Sequence, residues 1–168
     1  YELPTDRRPV KTLLFHAKQK ENIYKLIRDE IKKGRQVYVV YPIIDESDKT
    51  DLKSAILGKN AFEKMFPEFN VVLLHGRMKP SERETIMSAF KNGEINILVS
   101  TTVIEVGVDV PNATLMLIIH AERFGLSQLH QLRGRTGRGF HQSYCILVAY
   151  EPYGEEARRR LQIMVKTH

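Results

Sequence analysis

The sequence predicts an α/β fold: a three-layer α/β/α sandwich built around a mostly parallel sheet. Three observations carry this. Short runs rich in Val, Ile and Leu recur along the chain. Most are apolar at every position instead of alternating, which suits strands covered on both faces. Between them lie stretches whose apolar residues recur at offsets of three and four, the spacing of one helical face. The alternation repeats at least four times in 168 residues, enough for one domain with a sizeable core and short for two. Helical crossovers between such strands make right-handed βαβ units.

Residues 10–16 (VKTLLFH) form the first candidate strand. The next stretch places Ile23, Leu26, Ile27 and Ile31 on one helical face, and Gly34 after Lys32 and Lys33 is a stop signal. Residues 36–42 (QVYVVYP) read as a strand ended by Pro42. IIDESDKTDL reads as a polar loop, and SAILGKNAFEKMF as a helix presenting Ala55, Phe62, Met65 and Phe66, weakened by Gly58. Residues 70–76 (NVVLLHG) are the next strand. The helix after it starts at Ser81 or just before, at Lys79 and Pro80, since proline is tolerated in a first turn. It turns Ile86, Ala89 and Phe90 inward and ends at Gly93. Residues 95–101 are a strand, VIEVGVDVPNA a loop region with short β character, and residues 114–121 a strand. LSQLHQLRGR is a short helix and SYCILVAY the last strand. The closing helix turns Ala157, Leu161 and either Met164 or Val165 inward.

Ligands of such sheets gather beyond the carboxyl ends of the strands. That rule puts four loops on one edge, carrying residues 45–48, 75–79, 101–109 and 122–138.

Composition narrows the partners. Lys and Arg total 26 against 20 Asp and Glu, a net charge of +6, which favours a polyanion without requiring one. The single cysteine, Cys145, cannot form an internal disulfide, so a reducing, cytoplasmic compartment is expected. No apolar run reaches 18 residues, so no membrane partner is expected. The start, YELPTDRRPVK, is neither a signal nor a transit peptide and has no initiator methionine; a piece of a longer protein is the expectation.

Several chemistries are missing from the string. There is no G-x-x-x-x-G-K-[ST] phosphate cradle, and GRTGRG at 134–139 follows a helix where a dinucleotide fingerprint follows a strand. None of the six histidines sits in a metal-binding spacing, so no metal site is expected. Ser100, His75 and Asp109 lack the elbow motif of a hydrolase triad.

What remains is a group of arginines in HQLRGRTGR, residues 130–138. The planar fork of arginine suits phosphate and carboxylate oxygens. Gln131, Arg135 and Arg138 have the spacing of one helical face, Leu129, Leu132 and Leu126 turn to the sheet, and Arg133 falls on a different side. Gly134 and Gly137 each cost a helix roughly 1 kcal/mol, so geometry is favoured over stability there. Two readings stay open. In one, Arg138 with Arg135 reaches the terminal phosphates of a nucleotide held by another domain. In the other, the arginines salt-bridge to Glu122, Glu105 or Asp109 and tie loops together.

Two further stretches matter. In STTVIEVGVDVP, Thr101 and Thr102 end a strand and offer hydroxyls and backbone N–H groups to a nucleic-acid phosphate. Gly107 permits a tight turn before Asp109. The bland reading of that stretch is a plain β-turn connection. In HGRMKPSERE, His75, Arg77 and Lys79 follow a strand directly, ahead of a helix N-terminus that favours an anion; a short basic loop without function is the alternative.

Together the three stretches resemble the second RecA-like domain of superfamily 2 helicases and translocases. QLRGRTGR is similar to motif VI, Q-x-x-G-R-x-G-R, through Gln131, Arg135 and Arg138. VSTTVIEVGVDVP is similar to motif V through Thr101, Gly107 and Asp109. VVLLHGRMKPSERE resembles the loop that touches the translocated strand, through His75, Gly76 and Arg77, and QVYVVYPIIDES resembles motif IV. Between about residues 35 and 150 the match is nearest to bacterial helicases that remodel stalled forks and branched junctions. Transcription-repair coupling translocases share FGLSQLHQLRGR almost as well.

The resemblance implies a RecA-like helicase C-terminal domain, of P-loop NTPase type but without its own P-loop. It implies one domain over residues 1–168, with a core of about 12–150 and a C-terminal helix in 151–168 leading to a translocation segment. Arg138, Arg135 and Gln131 would be catalytic. Gly107 and Asp109, with both arginines, would face the nucleotide. His75, Gly76, Arg77, Thr101 and Thr102 would touch DNA. ATP and Mg2+ would be held mainly by a first RecA-like domain carrying motifs I to III. The further partners implied are a wedge domain of the same parent chain and branched or forked double-stranded DNA. A monomer is expected, inactive as an isolated domain. A non-catalytic nucleic-acid binding module is the other reading of the basic loops.

Overall fold

Residues 36–41 carry no polar face, and the computed structural model, which describes residues 9–43, 49–101, 110–136 and 139–167, shows why. This strand, β2 (Gln36–Tyr41), is buried at every position and lies inside a six-stranded sheet. The others are β1 (Lys11–His16), β3 (Val71–Leu74), β4 (Ile97–Thr101), β5 (Ala113–Ile119) and β6 (Tyr144–Ala149). Their order is β1-β6-β5-β2-β4-β3, and every described pairing is parallel.

Among the described residues, five helices cover the sheet: α1 (Lys20–Lys32), α2 (Lys49–Met65), α3 (Pro80–Lys91), α4 (Leu126–Arg133) and α5 (Glu155–Lys166). Side chains alternate across each strand, so two cores form. Val37, Val39 and Tyr41 join Ile27, Phe62 and Phe66 beneath α1 and α2. Tyr38 and Val40 join Phe90, Leu129 and Leu161 beneath α3, α4 and α5. Each fully buried Phe or Leu contributes on the order of 1.5–3 kcal/mol. The three-layer architecture expected from the periodicity is the one observed.

The helix limits show where sequence patterning stops short. α2 begins at Lys49, inside the stretch that reads as a polar loop. Its first turn carries Asp51, whose charge suits a helix N-terminus. Met65, expected inward, is exposed, while Phe66 lies one residue past the helix and is fully buried. There Phe66 meets Tyr24 edge-on at 5.8 Å, and the Arg28 guanidinium lies 5.0 Å from its ring centre. α3 starts with Pro80 at its first position and Lys79 as N-cap, so Ser81 is not the cap. In α5 it is Met164 that is buried and Val165 that is exposed. Gly34 and Gly93, expected helix stops, adopt φ of +87° and +83°, conformations that L side chains rarely take.

Gly58 has a second role besides weakening α2. A Cβ there would stand 1.8 Å from the Tyr41 hydroxyl oxygen and 2.4 Å from the ring carbon bearing it. The glycine lets the end of β2 press a buried aromatic ring against a helix backbone. Gly58→Ala is therefore expected to lower stability by about 1–3 kcal/mol through overpacking, against its gain in helix propensity. Urea unfolding measures this, and the loss should shrink in a Tyr41→Ala background.

Candidate functional site

Parallel pairing brings two of the singled-out stretches together. Leu74, the last residue of β3, is in register with Ser100 of β4. His75 and Thr101 therefore leave adjacent strands side by side at the carboxyl edge. Thr101 is 1% exposed, and among the described residues its hydroxyl has no hydrogen-bond partner. A buried polar group left unpaired costs roughly 1–3 kcal/mol, so such an atom calls for an explanation. His75 accepts the Arg77 backbone N–H through Nδ1 at 3.2 Å. Burial and then the Arg77 charge hold its pKa below the ordinary 6.5, with Glu82 opposing them. Arg77 and Lys79 are exposed beside the α3 N-terminus. Thr102, Gly107, Asp109 and Glu105 lie outside the described residues, as do Gly137 and Arg138.

The arginine segment lies elsewhere. A helix that follows a parallel strand runs back along the sheet, and α4 does so, so Glu122 and Arg123 lie at the carboxyl edge with His75 while the described residues at the end of α4 lie away from it. By Arg133 the chain has reached Thr12, near the start of β1, and Gly139 lies against Pro111 ahead of β5. The single functional edge expected for all four loops is thus corrected to an edge and a flank.

The shared helical face of Gln131 and Arg135 is also corrected. α4 ends at Arg133 with Gly134 as C-cap. Arg135 and Thr136 then form tight turns, their N–H groups donating to Leu132 and Arg133 carbonyls at 3.0 and 2.9 Å. Thr136 is buried, its hydroxyl donating to the Met116 sulfur at 3.7 Å. Gln131 and Arg135 are exposed.

Arg133 is the residue whose role the sequence reading missed. It is 7% exposed. Its Nη1 donates to the Met164 carbonyl at 2.7 Å, the Thr167 carbonyl at 2.8 Å and the Thr12 hydroxyl at 3.3 Å. Its Nη2 meets the Thr167 hydroxyl and His130 Nδ1, both at 3.1 Å. The guanidinium thereby satisfies carbonyls that the last turn of α5 leaves without partners, at the end of the dipole that favours a cation. The signal was present: Leu126, Leu129 and Arg133 are spaced three and four apart, which puts Arg133 on the inward side.

Among the described residues, the Arg135 guanidinium has no acceptor. Of the ties offered as the alternative, those of Arg133 and Arg135 to Glu122 do not form; Glu105, Asp109 and Arg138 lie outside the described residues. Glu122 accepts the Tyr150 N–H at 2.8 Å and lies 3.4 Å from His120 Nδ1. Arg123 instead grips Asp51 with two bonds, of 2.9 and 3.2 Å, across to α2. His120 holds φ at +53°, a region uncommon outside glycine, with its ring stacked on Tyr150 at 3.8 Å. Among the described residues no group of three or more His, Cys, Asp or Glu side chains could hold a metal ion. No described helix is long and apolar enough to cross a membrane.

An all-parallel sheet of this order, with polar residues at its carboxyl edge and an arginine emerging beyond α4, is the form of a RecA-like helicase C-terminal domain. The model of the helicase conserved C-terminal domain matches residues 18–139, and the chain belongs to that family. Within it, the chain is 56% identical over 164 residues to the ATP-dependent DNA helicase RecG of Synechocystis sp., covering 97% of this chain and 20% of that protein. RecG of Aquifex aeolicus is 51% identical, with 99% and 21% covered, and RecG of Bacillus subtilis 46%, with 99% and 24%. A structure of RecG bound to a three-way DNA junction superposes with a TM-score of 0.81 at 42% identity, over 99% of this chain and 21% of that one. The C-terminal domain of the DEAD-box protein Dbp5 shares the fold at 17% identity and a TM-score of 0.62. The chain spans between a fifth and a quarter of the length of its RecG relatives.

Glu122 generates a pH prediction. Burial raises its pKa, but the bonds accepted from His120 and the Tyr150 N–H outweigh that, and the net shift is downward from 4.5. A carboxyl depressed in the folded state stabilises above its unfolded pKa and loses that contribution as pH falls through the folded value. Urea midpoints should therefore fall as pH drops below about 4.5, and Glu122→Gln should flatten that fall. An unchanged slope would mean the bonds are not made.

Proposed function

We propose that this chain is the second motor half of an ATP-dependent DNA helicase that remodels stalled forks and branched junctions. The observation that carries the reading is the contrast between Arg133 and Arg135. One is buried with both terminal nitrogens engaged, and two residues later the other is exposed and, among the described residues, without an acceptor. A domain that completes a nucleotide site held by a neighbour needs such a donor on a rigid support.

Arg135 and Arg138 reach the terminal phosphates of ATP bound to a first RecA-like domain. They offset the charge that develops as the γ-phosphoryl group passes to water. Gln131 orients the segment beside them, and Gly107 and Asp109 face the nucleotide from the stretch before β5. That first domain also holds the magnesium ion beside the phosphates of ATP. His75, Gly76, Arg77, Thr101 and Thr102 bind backbone phosphates of duplex DNA at the carboxyl edge, the Thr101 hydroxyl gaining a partner it lacks among the described residues. Residues 101–110 run from that edge to Val110, buried in the core beneath α3 and α4, and so connect the DNA contacts to the nucleotide side. Residues 1–168 form one domain, and alone it turns over ATP negligibly because no phosphate cradle is present.

In the full-length helicase, Arg138→Ala and Arg135→Ala are expected to lower DNA-stimulated kcat by about 10³–10⁵ with little change in ATP binding. Near-normal turnover with intact ATP and DNA binding would overturn the role. Thr101→Val, which keeps the shape, should reduce stimulation by DNA and spare basal hydrolysis; a loss confined to thermal stability would contradict the DNA contact.

A further inference from the structure

Arg158, Arg159 and Arg160 stand in succession at the start of α5 and are used differently. Arg160 donates to the Glu122 and Phe124 carbonyls at 3.1 Å each and lies 3.6 Å from Glu156. Arg159 lies 3.8 Å from Glu155. Arg158, among the described residues, has no acceptor. It lines a groove of about 570 Å³ at the carboxyl ends of β1 and β6.

The groove is well supplied with donors. His16 ends β1, in register with Ala149 at the end of β6. Its Nε2 lies 3.0 Å from the Tyr153 hydroxyl, and the two rings stack within 8° of parallel. Gln162, one helical turn beyond Arg158, adds an amide without a partner among the described residues. Lys18 and Lys20 follow His16 along the same edge and are exposed. Glu151 is the opposing charge in the lining, 3.7 Å from His16. It is 59% exposed, where solvent and salt screen it. The forked guanidinium of Arg158 matches a phosphate better than a point charge would.

Position gives the ligand class. The groove opens on the same edge of the sheet as His75 and Thr101, at the opposite end of the strand order. Five strand spacings separate β1 from β3, roughly 24 Å at about 4.8 Å each. A duplex lying along this edge rises about 3.4 Å per base pair, so the two places are about seven base pairs apart. We propose that the Arg158 groove is a second DNA contact, in which Arg158, with His16 and Gln162 beside it, holds a backbone phosphate about seven base pairs from the His75–Thr101 contact. This rests on the DNA reading of the carboxyl edge.

The test is the salt dependence of duplex binding by the full-length helicase, with one duplex too short to reach both places and one comfortably longer. Arg158→Gln should lower the slope of log affinity against log salt by about 0.9, one phosphate, on the long duplex only. Arg158→Lys should restore most of it, and Glu151→Gln should tighten the long duplex. Arg77→Gln should lower the slope on both. If Arg77→Gln has its effect and Arg158→Gln has none, the groove contact is overturned and the edge contact stands. If neither variant changes the slope, the DNA reading of the edge fails with it. An Arg158 effect equal on both duplexes overturns the placement. Unchanged thermal midpoints, expected for so exposed a side chain, separate each outcome from misfolding.

Discussion

Arg133 places a permanent positive charge inside the helical layer, and the positions of α4, α5 and β1 follow from how that charge is satisfied. Moving a cation out of water costs several kcal/mol unless its donors are met. Here both terminal nitrogens are engaged: by two carbonyls and a hydroxyl from the end of α5, a hydroxyl of β1 and the ring of His130. The α5 dipole adds a partial negative charge at the same point. Helix, helix and strand are thereby pinned at one place, and the chain leaves that place through Gly134 with little freedom. Arg135 emerges two residues later, beside that anchored point.

The sheet then sets the distance between the two kinds of chemistry. Eight residues of α4 carry the chain about 12 Å back from the carboxyl edge. Residues expected to touch DNA stay at that edge, and the exposed arginine stands on the flank. Residues 101–110 begin at one and end near the other. On the proposed function, residues 101–110 are a short covalent route between the DNA contacts and the nucleotide side.

The fold was largely legible because its strands are buried on both faces and so have no polar positions to confuse the period; β2 and β5 are the clearest cases. The misreadings have physical reasons. The first turn of α2 is polar, because a helix N-terminus welcomes Asp51 and because Asp51 is held by Arg123 from a loop 72 residues away in sequence. Arg133 was placed only on a different side from Gln131 and Arg135, though its spacing from Leu126 and Leu129 pointed inward, since a buried arginine is the rarer case. The i, i+4 relation of Gln131 and Arg135 presumed a helix that α4 does not continue. Gly58 reads as a plain weakness until the Tyr41 ring is seen against it. The roles of Gly107, Asp109 and Arg138 came from motif resemblance; residue type and spacing alone left salt-bridged loops open as the alternative.

The central claim is that this domain lends arginine side chains across a cleft to a triphosphate held by a neighbour. The most direct measurement is a structure of the full-length helicase on DNA, closed around ADP and a fluoride mimic of the transferring phosphoryl group. The account predicts the Arg135 and Arg138 guanidinium groups within hydrogen-bond distance of the mimic, with Arg133 still seated against the end of α5. Both guanidinium groups turned into solvent, or engaged with carboxylates of their own domain, would contradict it.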